Sequence, residues 1–465
     1  MKKTVALILV LIIASLSAAC SPLNRMADVS GDLVSPEPKG DKKELTILYK
    51  PWMEADIVPQ IIKPYAKQFE ERFGVKVNFV APSGSDDDSD KAFAAMMYAK
   101  EGPELIYYDR KFFLLEQLTG QGALVNLKGK AANIDKMYNS LQRGEMYYVP
   151  VGIRYGAIVL NKEKLDEIGV EEIPFDWTSR DYRDMWLKWL SKSPRFFTWH
   201  EYFEIAEMHI WDLDFYDREN NRARINTPEM KKAIRDLRNE IFSGNYRLNK
   251  DYTFKNYYSA FRGPQSEEAK RESELMRSEE YKSDLLKKEL EEYASKTNLL
   301  RASEIYNSML KGSVVLPKEA DRAAKLKSFG FAVNKNGKNL ELAYEFINGI
   351  LSDEIQMAMI SADELHDISY FYPVNKDIEN DIKNLEIEIE ANSKAIEVRD
   401  YALEQLKSGK LVLDAYYYGD GRESVYEGVR RFIIEAVFAD EPYSDERLTQ
   451  LLQKLEDETN LWLNE

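Results

Sequence analysis

The sequence predicts an α/β protein built from two lobes. Short β-type runs alternate with amphipathic helical stripes from Leu45 to Leu127, which argues for a sheet flanked by helices. A β-rich stretch from Tyr147 to Lys162 is interrupted by Pro150 and Gly152, as suits a chain crossing between lobes, and the first hinge is expected there. A chain of 465 residues, 44% hydrophobic, is long enough for two or three domains with cores of their own.

Leu45 to Tyr49 reads as the first strand, followed by the loop Lys50 to Glu54. Ile57, Ile61, Tyr65, Phe69 and Phe73 then recur in steps of four, the spacing of one helix face; Pro64 should kink that helix or delay its start, and Gly74 should close it. Val75 to Val80 supplies a second strand. The acidic run Asp86 to Asp90 precedes Phe93, Ala94, Met96, Met97 and Tyr98, so its oxygens suit the positive end of a new helix, which Gly102-Pro103 ends. Asp86, Asp88 and Asp90 also open like a calcium loop, but Lys91 replaces the turn glycine and Met97 the closing Glu, so capping is the reading adopted. Leu105 to Asp109 is a third strand, with an apolar helix after it up to Thr119. In open sheets ligands gather at the carboxyl ends of strands, which brings Lys50–Glu54 and Tyr107–Arg110 together.

Beyond the crossing, helical patterns from Thr198 to Met208 and Thr227 to Phe242 make the body of the second lobe. Residues 267–292 carry dense charge of both signs and read as a largely solvated helix, with a partner-docking arm as the alternative. Stripes at Ile378, Ile382, Leu385 and Ile389 and at Leu448, Leu451, Leu452 and Leu455 make the end of the chain mainly helical.

The formal charge of −16 and the pI near 5.0 repel phosphate backbones, and no basic cluster offsets them, so nucleic acid is not expected as a partner. A single cysteine excludes disulfides within the chain and multi-cysteine metal sites. That cysteine, Cys20, follows Lys2-Lys3, an apolar run from Val5 to Leu16 and the small residues Ser17-Ala18-Ala19. The order resembles a bacterial lipoprotein signal, with Ser17 where Leu is commoner; an ordinary signal peptide and a retained anchor are the alternatives. Residues 1–19 are then the signal and 20–42, broken by Pro22, Gly31, Pro36, Pro38 and Gly40, a flexible tether.

Catalytic signatures fail one by one. His200-Glu201 starts a zinc-protease motif, but Glu204 stands where the second histidine belongs; Gly120-Gln121-Gly122 starts a dinucleotide loop, but Val125 replaces its third glycine. Neither a phosphate-binding loop nor a Gly-x-Ser-x-Gly elbow occurs. No cofactor is expected, and no metal.

Several ordered segments resemble the extracellular solute-binding proteins, family 1, of carbohydrate ABC importers. They are Leu45 to Tyr49, Phe69 to Val77, Gly102 to Ile106, Gly122 to Leu127, Tyr148-Val149-Pro150, Leu160-Asn161-Lys162 to Leu165, Thr198 to Tyr202, Val315-Leu316-Pro317, Ala343 to Ile347 and Tyr372-Pro373-Val374. Glu104 departs from the Asp common in that family, and the Trp-rich stretch Trp177 to Trp189 and the arm 267–292 are unusual for it. The resemblance implies a two-lobed periplasmic-binding-protein-like fold (type II), with 43–151 and 318–371 in the first lobe and 152–317 and 372–465 in the second. It implies hinge closure on a saccharide and delivery to permease subunits by a monomer anchored through Cys20 outside the cell membrane, with no bond made or broken.

A pyranose has apolar C–H faces and a hydroxyl rim, so aromatic platforms and charged or amide partners suit it. Trp52, Tyr107, Tyr108 and Tyr155 are the expected platforms and Glu54, Asp109, Arg110 and Arg154 the rim partners. From the second lobe Tyr372, Tyr417 and Tyr426 match cleft positions of the family. Arg110 and Arg154 would favour an anionic sugar, since a guanidinium forks onto a carboxylate. Two alternatives stay open: a ligand-binding sensor without transport, and a surface carbohydrate-active enzyme.

Overall fold

The computed structural model describes residues 43–49, 61–82, 86–109, 114–142, 144–211, 213–217, 220–247, 267–288, 290–291, 297–321, 324–361, 371–386, 393–413 and 422–464. The strands in chain order are β1 (Glu44–Leu48), β2 (Lys76–Val80), β3 (Leu105–Asp109), β4 (Val149–Tyr155), β5 (Ile158–Asn161), β6 (Arg195–Phe196), β7 (Tyr216–Asp217), β8 (Arg222–Ala223), β9 (Tyr246–Arg247), β10 (Ser313–Leu316), β11 (Lys325–Val333), β12 (Tyr372–Pro373) and β13 (Val412–Leu413).

The first lobe forms as its hydrophobic pattern requires. β1 and β2 pair in parallel along their whole length, from Glu44↔Lys76 to Leu48↔Val80, and the helix Lys63–Phe73 makes the crossover. Pro64 lies in the first turn of that helix, where a missing N–H costs little. Tyr65, Ala66 and Phe69 face the core, and Gly74 ends the helix at φ 64°. β3 adds in parallel on the other side of β1. The mixed sheet runs β12-β4-β11-β3-β1-β2, with β13 pairing the start of β11. β11 is antiparallel to both β3 and β4, and its register against β4 shifts between Phe329 and Gly330. Gly330 is obligatory there: a Cβ would stand 2.0 Å from the Val149 carbonyl oxygen.

Glu104 also acquires a role. Its carboxylate accepts the Thr46 N–H of β1 at 2.7 Å and the Asn339 N–H at 3.1 Å, just ahead of the helix Leu340–Ile350. One buried side chain thus ties a strand to the helix that covers it.

The second core is mainly helical, with helices Ser179–Lys192, Trp199–Ala206, Pro228–Ile241, Arg422–Val437 and Asp445–Leu463. β5 pairs antiparallel with β10, β6 parallel with β9, and β7 with β8 as a hairpin. The Trp-rich stretch is core: Trp177, Trp186 and Trp189 are all buried, and the Trp177 Nε1–H donates to the Pro317 carbonyl at 3.0 Å. A capping box between Thr178 and Asp181 starts its helix.

Three placements differ from the sequence reading. The charged arm is two helices, Glu267–Arg277 and Glu279–Lys288, and the second is anchored, not merely solvated. Tyr281 is buried and donates to Glu201 Oε1 at 3.1 Å, while the Phe196 N–H donates to Asp284 at 3.2 Å. All of β4, through Tyr155, lies in the first sheet, and β5 begins at Ile158 in a separate two-stranded sheet with β10. The described residues of 371–386 and 393–413 pack in the first core, as Tyr372, Val374, Ile378, Val398, Leu406 and Leu413 show, and Val425 lies in the second.

Candidate functional site

The strand directions bring three carboxyl ends to one edge of the sheet. β1 and β3 are parallel, and β4 runs the same way because both it and β3 are antiparallel to β11. Their carboxyl ends, at Leu48, Asp109 and Tyr155, therefore share one end of the sheet, where β4 hands the chain to β5 through Gly156-Ala157. β13 pairs with Lys325 and Leu326 at the same end. A ligand held here meets the junction of both cores, as the topology of open sheets favours.

Trp52, Glu54, Arg110, Tyr417 and Cys20 lie outside the described residues. Asp109 is the last residue of β3, in register with Phe329, and Tyr426 lies in the helix Arg422–Val437. The other aromatic candidates are built into the core in this conformation. Tyr107 packs edge-on against Phe331 with centroids 5.7 Å apart, and Tyr108 packs against Tyr148 at 5.0 Å. Tyr155 and Tyr372 are also buried, and burial is the first cause holding both hydroxyls protonated well above the usual tyrosine range. Tyr372 belongs to β12 and pairs with Ile153 of β4, so it comes from the first sheet and not from the second lobe. The reason is common to all four: a sheet covered on both faces buries both side-chain directions of its strands, leaving no ring face open for stacking.

Arg154 is buried too, 4% exposed, and its charge acts on the carboxyl of Glu304. That places it in an interior group of charges, not on a ligand rim. Burial pushes Glu304 up to about 8, against the opposing pull of Arg301, a backbone hydrogen bond from Asn298 and Arg154, while Glu386 adds to the rise. Glu386 in turn pairs with Arg399 at 3.1 Å and Arg301 at 3.6 Å, and accepts the Ala302 N–H at 3.3 Å.

Asn298, fully buried, is the residue that sequence reasoning missed. Its Oδ1 accepts the Tyr155 N–H and the Leu300 N–H, both at 3.1 Å, and the Leu299 N–H donates to the Tyr155 carbonyl at 2.8 Å. The last residue of β4 before the crossing is thereby clamped from both its N–H and its C=O. Thr297-Asn298-Leu299 carries no motif that signals this, because the partner lies 143 positions away in sequence. Among the described residues no group of three or more His, Cys, Asp or Glu side chains is arranged to hold a metal, and no helix is long and apolar enough to cross a membrane.

No protein-family model and no curated protein matches the chain. Solved structures do match over its length. A putative oligosaccharide periplasmic-binding protein from Synechococcus sp. MITs9220 is 15% identical with a TM-score of 0.58, covering 90% of this chain and 99% of that one. A family 1 extracellular solute-binding protein from Alicyclobacillus acidocaldarius is 12% identical with a TM-score of 0.54, covering 92% and 100%. An ABC substrate-binding protein from Listeria monocytogenes in complex with cycloalternan is 15% identical with a TM-score of 0.53, covering 91% and 100%. The chain has the fold of the two-lobed solute-binding proteins, and those neighbours are binding proteins.

Proposed function

We propose that this protein is the substrate-capturing component of an ABC importer, closing on a sugar or oligosaccharide and presenting it to permease subunits. The observation that carries the reading is the convergence of the carboxyl ends of β1, β3 and β4 on the crossing between the two cores, within a fold shared with saccharide-binding proteins. A ligand that touches both lobes stabilises the closed state by its differential affinity for it, so capture needs no chemistry. Trp52, Tyr417 and Tyr426 supply stacking faces and Glu54, Asp109 and Arg110 polar partners, while Tyr107, Tyr108, Arg154, Tyr155 and Tyr372 are buried. The mature chain is a monomer held to the outer face of the membrane through Cys20, with residues 20–42 as its tether.

A thermal-shift screen of the chain from Lys43 onward tests this against maltooligosaccharides, cyclic glucans, acidic sugars, peptides and polyamines. A saccharide that binds only the folded state raises the melting temperature, by mass action, as its concentration passes Kd. Trp52→Ala and Arg110→Ala should each reduce that shift at fixed ligand concentration. Stabilisation by peptides or polyamines alone would overturn the saccharide assignment, and accumulation of cleaved glycan would favour an enzyme.

A further inference from the structure

The chain passes between the two cores more than once. Tyr155, at the end of β4, packs in the first core and Leu160 of β5 in the second; Leu290 is again in the second, and Leu299 and Leu300 are back in the first. These two passages lie side by side, with antiparallel bridges from Gly156 to Asn298 and from Leu160 to Glu291. Their two ends are fastened differently. On the second-core side the backbone does it: the Asn161 N–H donates to the Leu290 carbonyl at 2.9 Å, and β5 is also held by β10, from Ile158↔Leu316 to Asn161↔Ser313. On the first-core side one side chain does most of it. Asn298 Oδ1 accepts the Tyr155 and Leu300 N–H groups, both at 3.1 Å, and its Nδ2 donates to the Ile153 carbonyl at 3.4 Å. The Asn298 N–H is taken up in turn by Glu304 Oε2 at 2.7 Å, from the first turn of the helix Ala302–Met309. Between the two fastenings the Ala157 N–H reaches the Thr297 carbonyl only at 3.4 Å.

We infer that Asn298 is a positioning residue for the movement of the lobes: it fuses the two passages where they leave the first core, so that the lobes turn about one axis at Gly156-Ala157 and not about each passage separately. Two neighbouring segments joined at one end only can twist and slide against each other, whereas segments joined at both ends bend together. An asparagine suits the place because its amide offers an acceptor and a donor at once. The position is fully buried, so a side chain without an acceptor would leave the Tyr155 N–H unsatisfied. The same oxygen turns the chain at Leu300 into the helix Ala302–Met309, which packs Ala302 and Ile305 inside, so the staple is itself anchored in folded structure and not in a loose loop.

The inference rests on the reading that the lobes move, but its test needs no ligand. Cys20 is the only cysteine, so Cys20→Ser leaves the full chain free for a pair of introduced ones. Lys67→Cys on the helix Lys63–Phe73 of the first lobe and Lys454→Cys on the helix Asp445–Leu463 of the second are exposed and take spin labels. Pulsed electron paramagnetic resonance then reads the distribution of distances between the lobes, and hydrogen exchange of peptides 152–158 and 297–301, with 44–48 of β1 as reference, reads the staple itself. Asn298→Ala removes both hydrogen bonds accepted by Oδ1, which should lower protection of the two crossing peptides at least about tenfold and leave the β1 peptide unchanged. In the same variant the distance distribution of the free protein should widen about twofold. Lost protection with a distribution as narrow as that of the parent chain would make Asn298 a packing residue only and overturn the inference, and so would unchanged protection. Glu304→Ala, which removes the acceptor behind Asn298 and keeps a good helix former, should widen the distribution in the same direction. If Asn298→Ala does not fold, that variant decides alone, and a parent-like distribution in it overturns the inference. Absence of saccharide binding would instead remove the transport reading and leave the coupling of the two passages standing.

Discussion

Replacing Gly330 by alanine tests the central strand register of the first lobe. The added Cβ would stand 2.0 Å from the Val149 carbonyl oxygen and 2.8 Å from the Pro150 Cα, and both are backbone atoms that cannot rotate away. Ordinary contact begins near 3.4 Å, so β4 and β11 must part by more than an ångström at the register Gly330↔Pro150 and Phe331↔Val149. Overpacking of this kind costs about 1–3 kcal/mol, and each ladder hydrogen bond opened in the buried sheet adds about 1 kcal/mol. A total of roughly 2–5 kcal/mol lowers the melting temperature by roughly 5–15 °C, allowing for the size of the lobe. Gly428 is the matched control: it lies in the helix Arg422–Val437 with no atom of the described residues within 4 Å of an added Cβ, so Gly428→Ala should gain about 0.5–1 kcal/mol from helix propensity. Thermal melts by circular dichroism suffice, read as a comparison of midpoints because two cores need not unfold in one step. A Gly330→Ala protein that melts within about one degree of the wild type would refute the pairing of β11 with β4.

Other consequences follow from single side chains. Glu104→Ala leaves the Thr46 and Asn339 N–H groups without their carboxylate; at about 1–3 kcal/mol per unsatisfied buried donor it should cost roughly 3 kcal/mol, and an unchanged midpoint in denaturant would contradict the tie. Glu304 gives a pH dependence with a definite sign. Burial raises its folded pKa to about 8, above the ordinary glutamate value of 4.5, so the folded state binds the extra proton, and the stability this confers is full below pH 4.5 and lost as pH rises towards 8. At about 1.4 kcal/mol per unit the loss is on the order of 5 kcal/mol before the site relaxes. Glu304→Gln should flatten that part of the profile, and a wild-type chain whose melting temperature rises from pH 5 to 8 as steeply as the variant's would rule the linkage out.

The first lobe was legible because its signals are local. The steps of four from Ile61 to Phe73, Gly74 after them and the β-type run Leu45–Tyr49 each depend on neighbours within a turn or a pleat, and the structure has a strand and a helix there. β1 and β3 do pair in parallel, so their carboxyl ends share one end of the sheet, while Lys50–Glu54 and Arg110 lie outside the described residues. What the sequence did not show was the burial of the side chains along those strands. Tyr107, Tyr108 and Tyr155 look like platforms when judged by distance from a strand end, and Tyr372 by its match to a family position, yet each is a buried residue within a strand. The clamp on Tyr155 was invisible because Asn298 lies 143 positions from it in sequence. Tyr281 was obscured by the charge around it: in the helix Glu279–Lys288 its buried ring and the Asp284 carboxylate make the anchoring contacts, and neither stands out among the charged neighbours in the sequence.

The most direct test of capture between two lobes is small-angle X-ray scattering of the mature chain with and without a saccharide that raises its melting temperature. Closure about the Gly156-Ala157 crossing predicts a radius of gyration that falls on addition of the sugar, saturating with the same concentration dependence as the thermal shift. A saccharide that binds and stabilises while the scattering curve stays superimposable on that of the free protein would contradict closure as the means of capture.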